Sequence, residues 1–342
     1  MDIVVLAAGS SAEREVSINS GRLICEALRS IGHNAIIVDL FFGTSDKNAF
    51  TYGEKYDIAK EVDRMILLSQ KVEEEKRNRN TLVGEHVIQL CQEADIVFLG
   101  LHGVNGEDGR VQAMFDLLGI KYTGTGHLGS AMAMDKDLSK QIFRMNQIST
   151  PDSFVITKDN KHESLKDYNM DFPCVVKPCC GGSSIGISIV YSAKEYEKAL
   201  EDAFTYENEV LVESYISGRE FSVGILDNQA LPVIEIIPDE GWYDYDKKYN
   251  GKTKEECPAD LPDDITKAIQ QEAVKAAKIL RLEAYCRIDF LLDANNNIYC
   301  LEANTLPGMT AASLLPQEAL QIGLSFPSLC NQLIEISLQK YK

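Results

Sequence analysis

The stretch RIDFLLDANNNIYCLEANT, residues 287 to 305, gathers side chains able to hold a cation and a phosphate. Two alternating runs flank the turn-rich Ala294-Asn295-Asn296-Asn297, the pattern of a β-hairpin. Closed by that four-residue loop, the hairpin pairs Asp293 with Ile298 and, counting outward, Asp289 with Glu302 and Arg287 with Asn304. Side chains alternate along a strand, so Asp289, Glu302 and Asn304 share a face. Like charges opposed across a ladder destabilise it. A bound cation removes the repulsion, and magnesium favours a couple of carboxylates combined with substrate phosphates over an all-protein cage. The two acids and the Asn304 amide oxygen therefore read as a hard-metal site, with Arg287 on the same face in reach of a phosphate or a developing oxyanion. The plainer alternative is a solvated face on which two carboxylates meet near a cation.

A metal held that way implies a phosphate ligand. No GxxxxGK[ST] loop is present, and no GxGxxG follows a strand. Instead VVKPCCGGSSIGISIV, residues 175–190, puts Lys177 at the end of one apolar run and Gly181-Gly182-Ser183-Ser184 in a turn before the next. Glycines there let backbone N–H groups curl around an anion. Lys136 in MDKDLSK and Lys248 in DKKY are further phosphate candidates, each a surface lysine if taken singly. In VLVESYISGRE, residues 210–220, Glu213 ends a strand and Glu220 follows a glycine-containing turn. Beside a nucleotide they suit hydrogen bonding to adenine and ribose, with the backbone near Tyr215 and Ile216 as the purine-facing edge.

These residues need strands and turns to hold them. Residues 3–7 (IVVLA) and 94–101 (ADIVFLGL) read as buried strands, with a helix from about Val16 to Ile31 and a strand from Ala35 to Leu40 between them. This order predicts a small α/β domain with a parallel sheet. Residues 41–85 are polar, with a weak helical pattern from Glu61 to Lys76, and carry no chemistry. A boundary falls near YTGTG (122–126), followed by a helical AMAMDKDLSKQIFRMN. Beyond Pro151 come strands FVI, CVVKP and ISIV, a helix near Ala193 to Phe204, and strands near 209–213 and 219–226. From Pro238 to Pro262 runs a long polar stretch containing GWYDYDKKYNGKT, with the sole tryptophan, Trp242. A loop of that length inside a compact domain is usually functional. A helix from about Asp263 to Arg281, the hairpin and a helical terminus complete the chain.

With 342 residues and 45% apolar content the chain has enough length for two or three domains. A formal net charge of −18 argues against nucleic-acid or anionic-membrane partners. No apolar run reaches membrane-spanning length, and MDIVVLAAGSSAE lacks a cationic leader, so a cytoplasmic location is expected. Nine scattered cysteines with no CxxC spacing suggest reduced, packed thiols rather than zinc or disulfides.

Taken together, an apolar strand ending in lysine, a Gly/Ser loop, E-x-x-x-x-G-x-E, and R-x-D with E-x-N resemble the ATP-grasp architecture. The closer resemblance is to the D-alanine–D-alanine ligase family. It rests on SAEREVS (11–17), LHGVNGEDG (101–109), MDK (134–136), VKPCCGGSSIGIS (176–188), YDYDKKY (243–249), RIDF (287–290) and LEANTLPGMTAASLLP (301–316), in the family's order. The resemblance implies an N-terminal α/β substrate domain (1–123) followed by two α+β lobes (124–217 and 218–342), with 238–262 as a lid loop. It implies ATP as nucleotide, with phosphates held by Lys136, Lys177, Lys248 and Ser184, and adenosine by Glu213, Tyr215, Ile216 and Glu220. Two magnesium ions, or manganese, would sit on Asp289, Glu302 and Asn304. Glu13 would take the ammonium of the first D-alanine and, with Ser183 and Tyr249, close the lid. His102 would lie near the first substrate's carboxylate. Arg287 and the Gly308 amide would stabilise the tetrahedral intermediate, and Ser313 with the Leu314 amide would grip the second carboxylate. A homodimer follows from the family alone.

Three features depart from the family's usual pattern. The first strand ends Ala7-Ala8-Gly9 where a Gly pair is common. Cys179-Cys180 in the phosphate loop would make nucleotide binding thiol-sensitive, and residues 41–85 match no motif. The alternatives are a D-alanine–D-serine ligase, another ATP-grasp amide ligase, or a non-catalytic nucleotide-binding regulator.

Overall fold

A computed structural model describes residues 1–161, 163–182, 186–238 and 253–342. Three sheets organise them. The first is parallel, in the order β2 (Asn34–Asp39), β1 (Asp2–Ala7), β3 (Ile96–Leu99). Its central strand is buried on both faces, which is why it reads as an unbroken apolar run. Helix α1 (Arg14–Ser30) covers one face and approaches so closely that a Cβ on Gly21 would stand 2.5 Å from the Ala7 Cβ.

The second sheet is antiparallel, in the order β4 (Ser153–Thr157), β7 (Glu209–Ser214), β5 (Cys174–Pro178), β6 (Ser188–Val190), with the helix Ala193–Ala203 packed against it. The third is also antiparallel, in the order β11 (Thr253–Glu256), β10 (Ile234–Pro238), β8 (Gly218–Leu226), β12 (Tyr285–Asp293), β13 (Ile298–Asn304), with the short β9 (Gln229–Ala230) beside β8. The expected parallel sheet followed by α+β structure is thus what the chain forms. The terminal helix Phe326–Leu338 returns to the first sheet, where Leu329, Leu333 and Ile334 join the core of β1 and α1. No helix among the described residues is long and apolar enough to cross a membrane.

Two local expectations need correction, and residues 41–85 take a definite form. The single helix expected across AMAMDKDLSKQIFRMN is two, His127–Met134 and Lys136–Met145. Asp135 leaves helical geometry and accepts a hydrogen bond from the Leu138 amide at 2.9 Å, capping the second helix so that Lys136 becomes its first residue. The long polar stretch does not run unbroken to Pro262, because Thr253–Glu256 return as β11, with Thr253 opposite Pro238. Residues 41–85 form the helices Ile58–Ser69, Val72–Asn78 and a 3-10 turn at Ala49–Lys55, and their role is mechanical.

Arg14, at the start of α1, explains that role. Its guanidinium is buried and pairs with Asp39 Oδ2 at 2.5 Å, donates to the Gly9 carbonyl, and reaches Met65 O at 3.1 Å and Ser69 Oγ at 2.9 Å. One side chain therefore ties the loop after β1, the end of β2 and the helix Ile58–Ser69 to the residue next to Glu13. Removing one partner of a buried ion pair leaves the other charge uncompensated. We therefore expect Arg14→Met to lower unfolding free energy by about 3–5 kcal/mol in urea titrations; a loss below about 1 kcal/mol, the surface-pair range, would contradict this reading.

Candidate active site

The paired acids come first. Asp289 lies opposite Glu302 and Arg287 opposite Asn304, as the alternation predicts. The route to that register differs from simple counting. Next to the turn, Leu292 rather than Asp293 pairs with Ile298, because Asp293 heads the loop and accepts from the Asn295 and Asn297 amides. One additional residue on β13, Leu301, then restores the pairing.

Asp289 is buried and surrounded by donors. It accepts from Ser222 Oγ at 2.7 Å, from Arg287 Nε at 2.9 Å and Nη2 at 2.8 Å, and from Asn304 Nδ2 at 2.9 Å. Glu302 lies 3.3 Å from Lys136 Nζ. Burial works against the Lys136 charge, but Glu302 outweighs it and holds that ammonium above its usual range. The repulsion between facing acids is thus relieved by Arg287 on one side and Lys136 on the other. Among the described residues no cluster of three or more His, Cys, Asp or Glu side chains could hold a metal. Two carboxylates and an amide, all oxygen donors, fit a hard divalent cation that takes its remaining ligands from a substrate.

Two cavities adjoin these strands. One, of about 400 Å³, is lined by Lys177, Glu213, Tyr215, Ile216, Glu220 and Glu302. The other, of about 460 Å³, is lined by Glu13, His102, Arg287, Gly308, Ser313 and Leu314, and also by Asn304 and Glu302. Among the described residues Glu302 is the only one lining both. Lys136 lies in a small recess shared with Gly181, Gly182, Glu302 and Asn304, and donates to the Gly181 carbonyl. Residues from five of the seven motifs, together with VLVESYISGRE, therefore line these two adjoining spaces, and the lysine of a sixth motif, MDK, lies in the recess beside them. Ser183, Ser184, Lys248, Tyr249 and Trp242 lie outside the described residues, as does most of the expected lid loop.

The structure refines several expected roles. Glu213 faces the first cavity, but its carboxylate is held by Lys177 Nζ at 2.5 Å and Lys140 Nζ at 2.9 Å, because a buried acid requires paired charge. His102 is buried with both ring nitrogens engaged: Nδ1 is 3.0 Å from the Leu306 carbonyl and Nε2 is 3.1 Å from Ser20 Oγ. The carbonyl accepts only, so Nδ1 carries the proton and Nε2 accepts from Ser20. Burial depresses the His102 pKa, with Arg287 adding to it against the opposing pull of Glu13. A ring held on both nitrogens fixes the loop after β3, and it lines the second cavity. Ser313 precedes the helix Leu314–Gln321 without capping it; its hydroxyl receives the Thr310 amide at 3.0 Å. First-turn amides of that helix, beginning at Leu314, have no intrahelical partner and suit a carboxylate. Glu13 is confined by backbone: a Cβ on Gly103 would stand 2.4 Å, and one on Gly182 2.7 Å, from its Oε2. The loop after β3 and the glycine loop thus both close on Glu13. The thiols of Cys179 and Cys180 are raised by burial, Cys180 to about 12, so neither is a ready thiolate.

Two participants escaped the sequence reading. Lys140 stands one helical turn beyond Lys136, a spacing that puts both on one face, but a lysine in a mixed helix reads as solvated. Glu107, in GVNGEDG, reads as a turn acid. Its carboxylate accepts from the Gly103 amide at 2.7 Å and the Leu306 amide at 3.3 Å, and burial, reinforced by Glu13, pushes it up to about 8. With His102 holding the Leu306 carbonyl, both polar groups of residue 306 are gripped by the loop after β3. That grip fixes the turn leading to Gly308.

Comparison with known proteins places this geometry. The model for the D-ala D-ala ligase N-terminus matches residues 2–125, and that for the D-ala D-ala ligase C-terminus matches residues 142–335. The chain belongs to the D-alanine–D-alanine ligase family. A D-alanine–D-alanine ligase of Pediococcus pentosaceus is 42% identical over 98% of this chain and 97% of its own length. One from Lacticaseibacillus casei is 40% identical over 100% and 97%. Among solved structures, the Bacillus anthracis D-alanine–D-alanine ligase complexed with ATP superposes with a TM-score of 0.75 at 31% identity, covering 99% of this chain and 98% of that one.

For this family member the clamp on residue 306 has a direct readout. In Glu107→Ala, hydrogen–deuterium exchange at the Gly103 and Leu306 amides should accelerate by about tenfold or more, since each loses a buried acceptor. Unchanged exchange at both amides would contradict the clamp.

Proposed function

We propose that the protein joins two D-alanine molecules into D-alanyl-D-alanine, converting ATP to ADP and phosphate, to supply a peptidoglycan precursor in the cytoplasm. The observation that carries this reading is Glu302, which lines both cavities beside Asp289 and Asn304. A nucleotide in the first cavity and an amino acid in the second would meet at these strands.

The first D-alanine, its ammonium on Glu13, presents its carboxylate to the γ-phosphate. Carboxylate oxygen attacks phosphorus, ADP leaves, and an acyl phosphate forms. The amine of the second D-alanine, entering neutral, then attacks the acyl carbon; phosphate departs with the electrons of the C–O bond and takes up the proton released from nitrogen. Ser313 and the Leu314 amide hold the second carboxylate; the Gly308 amide and Arg287 face the oxyanion of the tetrahedral intermediate. For the guanidinium to do so it must share its present hold on Asp289, which a cation beside that acid would favour. Magnesium on Asp289, Glu302 and Asn304 would offset the negative charge gathered when a carboxylate meets a phosphate chain. Lys136 and Lys177, with Lys248 and the Ser184 amide, are assigned to the phosphates, and Tyr215, Ile216 and Glu220 to the nucleoside, while Glu213 steadies Lys177. An acyl phosphate hydrolyses in water, so Glu13, Ser183 and Tyr249 are assigned to closing the site before transfer.

The test is ADP formation with D-alanine, D-serine, D-lactate or no acceptor, with the product weighed by mass spectrometry. D-alanine should give the fastest ADP release and the D-alanyl-D-alanine mass. Asp289→Asn should keep its circular-dichroism spectrum and lose turnover by about a hundredfold or more. ADP release that ignores D-alanine, or faster turnover to a D-serine-containing product, would overturn the assignment, and near-normal turnover in Asp289→Asn would overturn the metal site.

A further inference from the structure

Lys140 is buried with a side-chain exposure of 0%, and the reaction as assigned gives it nothing to do. It stands on the helix Lys136–Met145, one turn beyond Lys136, behind the cavity lined by Lys177 and Glu213. Its ammonium lies 2.9 Å from Glu213 Oε2 and donates to Thr150 Oγ1 at 2.7 Å. The other oxygen of Glu213 accepts from Lys177 at 2.5 Å. One carboxylate thus serves two lysines, from opposite sides.

Burial would raise Glu213, yet the two lysines outweigh it and hold the acid below the usual carboxylate range. Lys140 is drawn down by burial and by Lys177, against the pull of Glu213. Two ammonium groups share one carboxylate, so with all three ionised the triad carries one positive charge in excess at the wall of a cavity. That arrangement is costly in a low-dielectric interior until an anion joins it. The pair Lys177–Glu213 alone would be neutral and would offer a phosphate little. A lysine serving only to pin the helix to β7 would not need to share its carboxylate with a residue that lines the cavity.

We propose that Lys140 is a positioning residue: by occupying Glu213 from behind, it leaves Lys177 with charge to spend on the nucleotide's phosphates. The inference rests on the assignment of Lys177 to phosphate under the proposed function. It yields a signature that a purely structural lysine lacks, because only the phosphate-dependent part of nucleotide affinity should respond.

The experiment measures binding of ATP, ADP and adenosine to the full chain by calorimetry, with adenosine read by competition. In Lys140→Met, ATP and ADP should bind about tenfold more weakly, with adenosine changed by no more than about twofold. Lys140→Arg, which keeps the charge, should hold ATP within about threefold of wild type. The double variant Lys140→Met/Glu213→Gln should bind ATP more tightly than Lys140→Met alone, because Lys177 is no longer neutralised. Equal losses for ATP and adenosine, or wild-type ATP binding in Lys140→Met, would overturn the proposal. If Lys140→Met does not fold, the double variant decides: wild-type preference for ATP over adenosine supports the proposal and loss of that preference overturns it. Wild-type protein that binds adenosine and ATP equally would instead strike at the assignment of Lys177 itself.

Discussion

Two carboxylates face each other across β12 and β13, and much of the structure exists to make that arrangement tolerable. Opposed acids on adjacent strands repel, and in a half-buried setting they do so with little solvent screening. The chain answers with cations brought from elsewhere in the sequence. Arg287 comes from the same strand, and Lys136 from a helix whose first turn Asp135 caps. Ser222 and Asn304 supply the remaining hydrogen bonds to Asp289. An arrangement this dependent on borrowed positive charge is suited to exchange part of it for a metal and a phosphate chain.

The same logic extends outward. Glu302 and Asn304 end β13, and the turn beyond them is held through residue 306 by His102 and Glu107 from the loop after β3. Glu13 is enclosed by that loop and by the glycine loop after β5, while its neighbour Arg14 is anchored to Asp39 and the helix Ile58–Ser69. The parallel sheet therefore does more than carry a substrate residue. It sets the position of the turn that carries Gly308. On the nucleotide side, the helix beginning at Lys136 reaches the third sheet through that lysine and the second through Lys140. A single helical face links the two antiparallel sheets where the cavities adjoin.

How much of this was legible in the residues depended on range. Strand and helix positions followed from apolar periodicity, and the facing of Asp289 and Glu302 followed from alternation. Even there the pairing survived through two departures that cancel: Asp293 moved into the turn, and Leu301 was added on β13. Counting residues sees neither, since both are set by local hydrogen bonding. The split at Asp135 is not visible in the residues, because an aspartate within an apolar-periodic run reads equally as a surface residue or a cap. Buried partners were the least legible. Lys140, Glu107 and Arg14 each look like solvated charges in sequence, and only tertiary closure removes their water. The resemblance to the family implies the roles, and the structure adds that both ring nitrogens of His102 are engaged within the protein.

Under the proposed function, Asp289, Glu302 and Asn304 together hold a divalent cation between nucleotide and substrate. Crystals of the protein grown with ADP and manganese, measured at the manganese absorption edge, test it most directly. An anomalous peak is expected in contact with oxygen atoms of these three residues and of the nucleotide. A nucleotide bound in the first cavity with the anomalous signal elsewhere, or with none at these side chains, would contradict it.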